Sequence, residues 1–441
     1  MVGVTVSQYL LEVVSLMMVG QLGILVSFSG VAIASSFAEV TGYSVLLGMA
    51  GALETLCGQN YGAEEYRKIG NYTCCAILTL TLVCLPISVM WIFVHKILLL
   101  FVQDRAAREY CIWLIPSLYG YAVLQSLMRY FQTQSMIFPM VFSSIAVLFL
   151  HIPICWVLVF KLGMGHVGAA FAIAISYWLN VICLGFYMKY SSACQKSKVV
   201  FSSNVLSNIK EFLHYAIPSG LMLCFEGWSF ELLTLLAGLL PNPKLETSVL
   251  SVCLNMTTLH YFIPYAVGAS ASTRVSNEIG AGNLKAAQGT VRVVVIIGIV
   301  EAVIFSTFFY CSRNILGYAY INDKEVVDYF ADMVPLLCDS ISADSVIGVL
   351  SGIAIGGGFQ KTGAYVNLGA YYLVGAPLAV FLGFVLKLRS KGLWMGTLTG
   401  SILQIIILSG VIASTNWEKE ARKARHRIAQ KSINVHEGLL V

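Results

Sequence analysis

Along the chain, apolar runs of about 20 residues or more alternate with short polar connections. A helix rises about 1.5 Å per residue, so roughly 20 residues cross the ~30 Å hydrocarbon core of a bilayer. The runs predict twelve spans, at 2–20, 25–53, 70–94, 110–132, 138–160, 167–188, 211–238, 247–272, 287–311, 328–356, 363–386 and 393–414. The expected fold is all-α, a polytopic membrane protein of twelve transmembrane helices. The alternating ten-residue segments of outer-membrane barrels are absent. Prolines recur inside the spans, and Pro218, Pro264 and Pro335 predict helix bends. The first span starts almost at Met1, with neither a charged n-region nor a cleavage site. It reads as a span rather than a signal peptide, and the natural chain is expected to begin upstream.

Composition agrees with that pattern. Of 441 residues 58% are hydrophobic and 11% charged, with mean hydropathy +0.80, whereas soluble domains carry about 25% charged residues. Most of the 12 cysteines, Cys84, Cys155 and Cys253 among them, sit in apolar runs as small hydrophobes and show no zinc-site spacing. A net charge of +5 points to no nucleic-acid partner. Its distribution orients the chain. With both termini cytosolic, sixteen of the 27 Lys and Arg fall inside and ten outside, with Arg129 within the fourth span. Lys387, Arg389 and Lys391 run against this bias, and much of the margin comes from the basic tail. That tail is expected to be a solvated helix face or to touch anionic headgroups of the lipid bilayer.

The two halves resemble each other. Gly62, in QNYGA, and Gly280, in NEIGA, lie 218 positions apart; Pro153 and Pro377, and Gly168 and Gly392, lie 224 apart. Six spans per copy give both copies the same orientation, a repeat arrangement used by secondary transporters that bind substrate near the midplane. The expected domains are an N-terminal six-helix lobe (1–188), an inter-lobe linker (189–210), a C-terminal six-helix lobe (211–414) and a basic cytosolic tail (415–441).

Candidate chemistry lies in acids placed inside spans. Asp344 stands mid-span, where a carboxylate costs about 2.5–3.5 kcal/mol and usually serves an ion or proton path. Ser340, Gly348, Ser351 and Ile355 share its helical strip, and the small side chains around the acid leave room for water, a partner helix or a substrate. The alternative is a protonated Asp bonded to a neighbouring helix for packing alone. Glu226 in the seventh span has Gly227 and Ser229 beside it. A carboxyl kept from bulk water beside another carboxyl is poised to load and release a proton. Glu226 and Asp344 are therefore the expected proton-coupling pair. Ser229, Asn255, Tyr261, Tyr265, Ser340 and Gly348 are candidates for the substrate cavity; on the eighth span Asn255, His260, Tyr261 and Tyr265 are placed to hydrogen-bond a substrate, with interhelical bonding as their alternative. Glu12, Glu39, Glu301 and Asp339 are weaker acids. Glu54 is expected to cap or pair.

No Gly-Lys pair exists, so no Walker loop; HExxH and GxSxG are also missing. The chain is expected not to be an enzyme and to need no cofactor or metal. Work must come from a gradient. One charge moving through 100 mV supplies about 2.3 kcal/mol, and each pH unit adds about 1.4 kcal/mol.

Long stretches resemble the multidrug and toxic compound extrusion (MATE) transporters, specifically the plant DETOXIFICATION branch. They include GALETLCGQNYGA (51–63), HIPICWVLVFKLG (151–163), ASTRVSNEIGAGN (271–283), DSVIGVLSGIA (344–354) and QKTGAYVNLGAYYLVG (360–375). The resemblance implies two six-helix lobes around a V-shaped cleft, alternating access and proton-driven export of small organic compounds. It also implies coupling acids in the C-terminal lobe at the positions of Glu226 and Asp344. The chain is then expected to act as a monomer in the vacuolar or plasma membrane. Sodium coupling, as in bacterial relatives with N-terminal-lobe acids, stays open through Glu39. A lipid flippase of related fold is the alternative function. The sequence departs from the family at Gly227, where a bulky residue is usual, and at Ile347, near which a polar one is usual.

Overall fold

The computed structural model describes residues 1–23, 25–93, 105–199, 204–319 and 323–437. The expected end of the third span at 94, Lys96 in the charge count, 200–203 of the linker and 438–441 of the tail lie outside them. The chain forms two compact units, Met1–Gly220 and Leu221–Val441.

The first unit holds α1 (Val2–Gly20), α2 (Gly30–Gly62, with helical backbone from Leu25), α3 (Tyr66–Ile92), α4 (Arg105–Thr133), α5 (Ile137–Lys161) and α6 (Gly165–Tyr190). It also holds the start of α7 (Ile209–Ala237). Ahead of α7, Ser197 is packed onto this unit. Its hydroxyl lies 2.7 Å from that of Tyr130 and donates to Gln134 at 2.7 Å. The second unit holds the rest of α7, then α8 (Pro243–Ala281), α9 (Leu284–Leu316), α10 (Lys324–Gly357), α11 (Gln360–Val385) and α12 (Arg389–Ser414). A final helix, α13 (Trp417–Glu437), buries Trp417, Ala421, Ala424 and Ile428.

Among the described residues, eleven of these helices are long and apolar enough to cross a membrane. The twelfth span is α8, which is long enough at 39 residues but carries Asn255, Thr257, His260, Ser272 and Thr273. Burial explains that polarity, since Thr257, His260, Ser272 and Thr273 face neighbouring helices. The opposite pattern marks α9, where Val293, Ile296, Ile297, Val300, Ile304 and Phe308 form an exposed apolar stripe. In water such a stripe would cost about 25 cal/mol per Å²; against acyl chains it costs nothing.

The internal repeat extends to the backbone. α2 closes on Glu64 in the left-handed region (φ 61°), with Glu65 N donating to Asn60 O at 2.9 Å. α8 closes on Gly282 (φ 78°), with Asn283 N donating to Glu278 O at 2.8 Å. The same six-to-one closure ends α4 at Ser135 (Met136 N to Phe131 O, 2.9 Å) and α10 at Gly358 (Phe359 N to Ala354 O, 2.7 Å). α5 and α11 both widen into a π turn at their ends, Val157–Lys161 and Phe381–Val385. Against these turns, Gly168 and Gly392 approach the backbone of Leu158 and Leu382. Two loop closures, one π turn and one glycine contact thus repeat between units of different sequence.

The central helix pairs are joined by different means. In the first unit a buried ion pair, Arg129 Nη1 to Glu54 Oε1 at 2.7 Å, ties α4 to α2; Glu54 pairs as expected. In the second, α10 lays Gly348, Gly352 and Gly356 against Pro264, Gly268 and Ser272 of α8, every fourth residue on each helix. A side chain at Gly352 would strike the Gly268 backbone, whose Cα would lie 2.7 Å from the new Cβ. Backbone cannot rotate away as a side chain can. Gly352→Val is therefore expected to destabilise the protein by about 3 kcal/mol or more, read as a lower midpoint of thermal unfolding in detergent. An unchanged midpoint would mean that the two helices can part at no cost.

Candidate functional site: an acidic cluster in the second unit

Glu226 is buried on α7 and held by uncharged donors. Tyr261 of α8 donates to Oε1 and Gln404 of α12 donates to Oε2, each at 3.4 Å. Gln404 in turn accepts from Tyr371 of α11 at 2.7 Å, and the Tyr371 hydroxyl lies 3.2 Å from that of Ser401. α7, α8, α11 and α12 thus converge on one carboxyl. Asp344 is also buried, on α10, with Glu226 and Glu301 both within its electrostatic reach. Among the described residues no hydrogen bond closes on its carboxyl. Tyr261 and Tyr371 feel both acids. Buried carboxyls are ordinarily paired or fully bonded. Here one acid has weak neutral donors and the other none, an arrangement that suits a proton carried and released rather than a fixed charge. Among the described residues no cluster of His, Cys, Asp and Glu fits a metal ion.

The MatE family model matches residues 1–157 and 218–381. The chain belongs to the MatE family. This MATE transporter is 50% identical to Protein DETOXIFICATION 9 of Arabidopsis thaliana, over 100% of the chain and 92% of that relative. It is 51% identical to Protein DETOXIFICATION 8 of the same plant, over 98% and 89%. The crystal structure of the eukaryotic MATE transporter AtDTX14 superposes with a TM-score of 0.93 at 50% identity, covering 97% of this chain and 96% of that one. The bent form of Vibrio cholerae VcmN matches at TM-score 0.82 with 14% identity, over 96% and 95%, and so shares the fold. The transporter is a multi-pass integral membrane protein of the plant DETOXIFICATION kind, with the twelve-helix fold expected from its apolar runs.

The structure sorts the residues singled out above. Tyr261 joins Glu226, and Tyr265 stacks obliquely on Tyr261 with ring centroids 6.0 Å apart. Ser229 bonds back to the Glu226 carbonyl at 2.7 Å and lines a narrow crevice with Leu233, Tyr371, Ala379 and Thr397. The room at Gly348, one turn from Asp344, is taken by Pro264 of the neighbouring helix α8. Ser340 is occupied by the indole N–H of Trp394 at 2.8 Å, so it ties α10 to α12. Asn255 is exposed, away from the buried cluster. Pro264, inside α8, is buried in the helix seam; Pro218 and Pro335 lie inside α7 and α10. Of the weaker acids, Glu12 accepts from Tyr177 at 3.4 Å in the first unit, Glu39 and Asp339 are exposed, and Glu301 pairs with His260. Gln404 and Tyr371 escaped the sequence reading, although a lone Gln in the apolar run ILQIII was a usable signal.

Proposed function

We propose that this transporter exports organic compounds, toxic organic cations and plant secondary metabolites among them, in exchange for protons. In this reading Glu226 and Asp344 exchange the proton, and protonation is coupled to substrate release by alternating access. The observation that carries it is a pair of buried carboxyls that, among the described residues, form no ion pair and, at Asp344, no hydrogen bond. A charge in such a place is unfavourable unless neutralised, and a proton is the neutraliser available. Kinship with the DETOXIFICATION proteins supports the substrate class. Tyr261, Tyr265 and Ser229 are assigned to the substrate path. The protein works as a monomer with cytosolic termini, in the vacuolar or plasma membrane.

The test is transport in proteoliposomes of the purified protein, with ethidium as the organic cation. Ethidium is expected to move against its gradient under an imposed pH difference, to stop with a protonophore and to ignore a sodium gradient. Sodium-driven movement, or lipid scrambling without ethidium transport, would overturn the assignment.

A further inference from the structure

Behind Asp344 lies a second ionisable pair that the proposed coupling does not use. His260 of α8 and Glu301 of α9 are both buried, with Nε2 and Oε1 2.7 Å apart. The pair touches the helix that carries Asp344. The Ser345 hydroxyl, on the next residue of α10, lies 3.4 Å from the same His260 nitrogen and donates to the Ile341 carbonyl at 2.8 Å. Glu301 is within electrostatic reach of Asp344. Each partner keeps one further atom buried and unpartnered among the described residues, Nδ1 on His260 and Oε2 on Glu301. The Phe305 ring also lies against the imidazole, with centroids 5.3 Å apart. Among the described residues, the ionisable group facing the pair is Asp344 on α10, and beyond Asp344 stand Glu226 on α7 and Tyr261 on α8.

Those two free atoms decide what the pair can do. With a single proton between Nε2 and Oε1 the pair carries one negative charge beside Asp344. One more proton, on Nδ1, makes it a neutral imidazolium–carboxylate and leaves the 2.7 Å bond in place. A purely structural tie would be expected to have both ends satisfied. Pro264, one turn beyond His260, has no N–H for the His260 carbonyl. The pair therefore sits where α8 lacks one rung of its ladder.

We infer that the His260–Glu301 pair carries one proton of the exchange cycle beyond those carried by Glu226 and Asp344. The proton adds to His260 Nδ1 from the side protons enter and leaves to water on the other; no other bond changes. This rests on the proton coupling proposed above. Stoichiometry separates it from a structural role, because a limiting gradient depends on the proton count and not on how fast the protein turns over. In proteoliposomes with the membrane potential clamped at zero, each exchanged proton adds about tenfold in limiting ethidium gradient per pH unit. Glu301→Gln and His260→Gln are each expected to lower that limit about tenfold per pH unit relative to the unsubstituted protein. An unchanged limit in both overturns the inference. If neither variant inserts, ring-nitrogen NMR of the unsubstituted protein in nanodiscs reads the His260 protonation state directly. A change on adding ethidium supports the pair as a carrier, and no change overturns it. Failure of the coupling itself looks different: the unsubstituted protein then shows no response to the pH difference.

Discussion

Asp344→Asn is expected to abolish pH-driven export while leaving the protein folded and inserted. The substitution keeps shape and volume and removes only the titrating oxygen. Because no hydrogen bond among the described residues closes on the carboxyl, none is broken, and the stability change should stay within about 1 kcal/mol. Without a proton to exchange at this position, the imposed pH difference no longer drives accumulation. Glu226→Gln should act the same way. Its Tyr261 and Gln404 contacts, both at 3.4 Å, are long and can rearrange around an amide. The measurement is ethidium export under a fixed pH difference, paired with a thermal unfolding midpoint. Half or more of the original export in Asp344→Asn would remove that residue from the coupling machinery.

The largest stability effect is expected at the other central seam. Arg129→Met strands Glu54, whose carboxylate is buried and meets Arg129 at 2.7 Å. Removing one partner of a buried ion pair costs about 3–5 kcal/mol, because the survivor keeps its desolvation penalty without its counter-charge. The Arg129 Nη1 bond to Gln132 at 2.6 Å is lost as well. Neutralising both ends in Glu54→Gln/Arg129→Met should return the protein to within about 1 kcal/mol of its original stability. Denaturant unfolding in detergent measures both. A single variant costing less than about 1 kcal/mol would show that water reaches Glu54.

The Arg129–Glu54 seam and the glycine seam at Gly352 occupy matching places in the two units. Glu54 and Arg129 stand near the ends of α2 and α4; Ser272 and Gly352 hold the corresponding places on α8 and α10. The Gly and Pro markers of the duplication are visible in the string because turns in the left-handed region and close backbone contacts demand particular residue types. Glu64 and Ser135 are not visible as such, because in the first unit the same left-handed turns are made without glycine. At Gly348, helical periodicity placed a small residue one turn from Asp344 but did not show which part of a neighbouring helix, the backbone and Cβ of Pro264, would lie against it.

Span length, hydropathy and the placement of acids within apolar runs are local properties, set by the thickness of a bilayer and the cost of charge inside it. They were enough for the twelve-helix architecture and for singling out Glu226, Asp344, Glu301 and His260. Which of these groups meet is a matter of distances across helices far apart in the chain, where no periodicity operates. Packing brought Gln404 to Glu226 and His260 to Glu301, left Asp344 without a hydrogen bond among the described residues, and turned Ser340 toward Trp394. A hydrogen bond depends on tenths of an ångström, and only the assembled helices supply that precision.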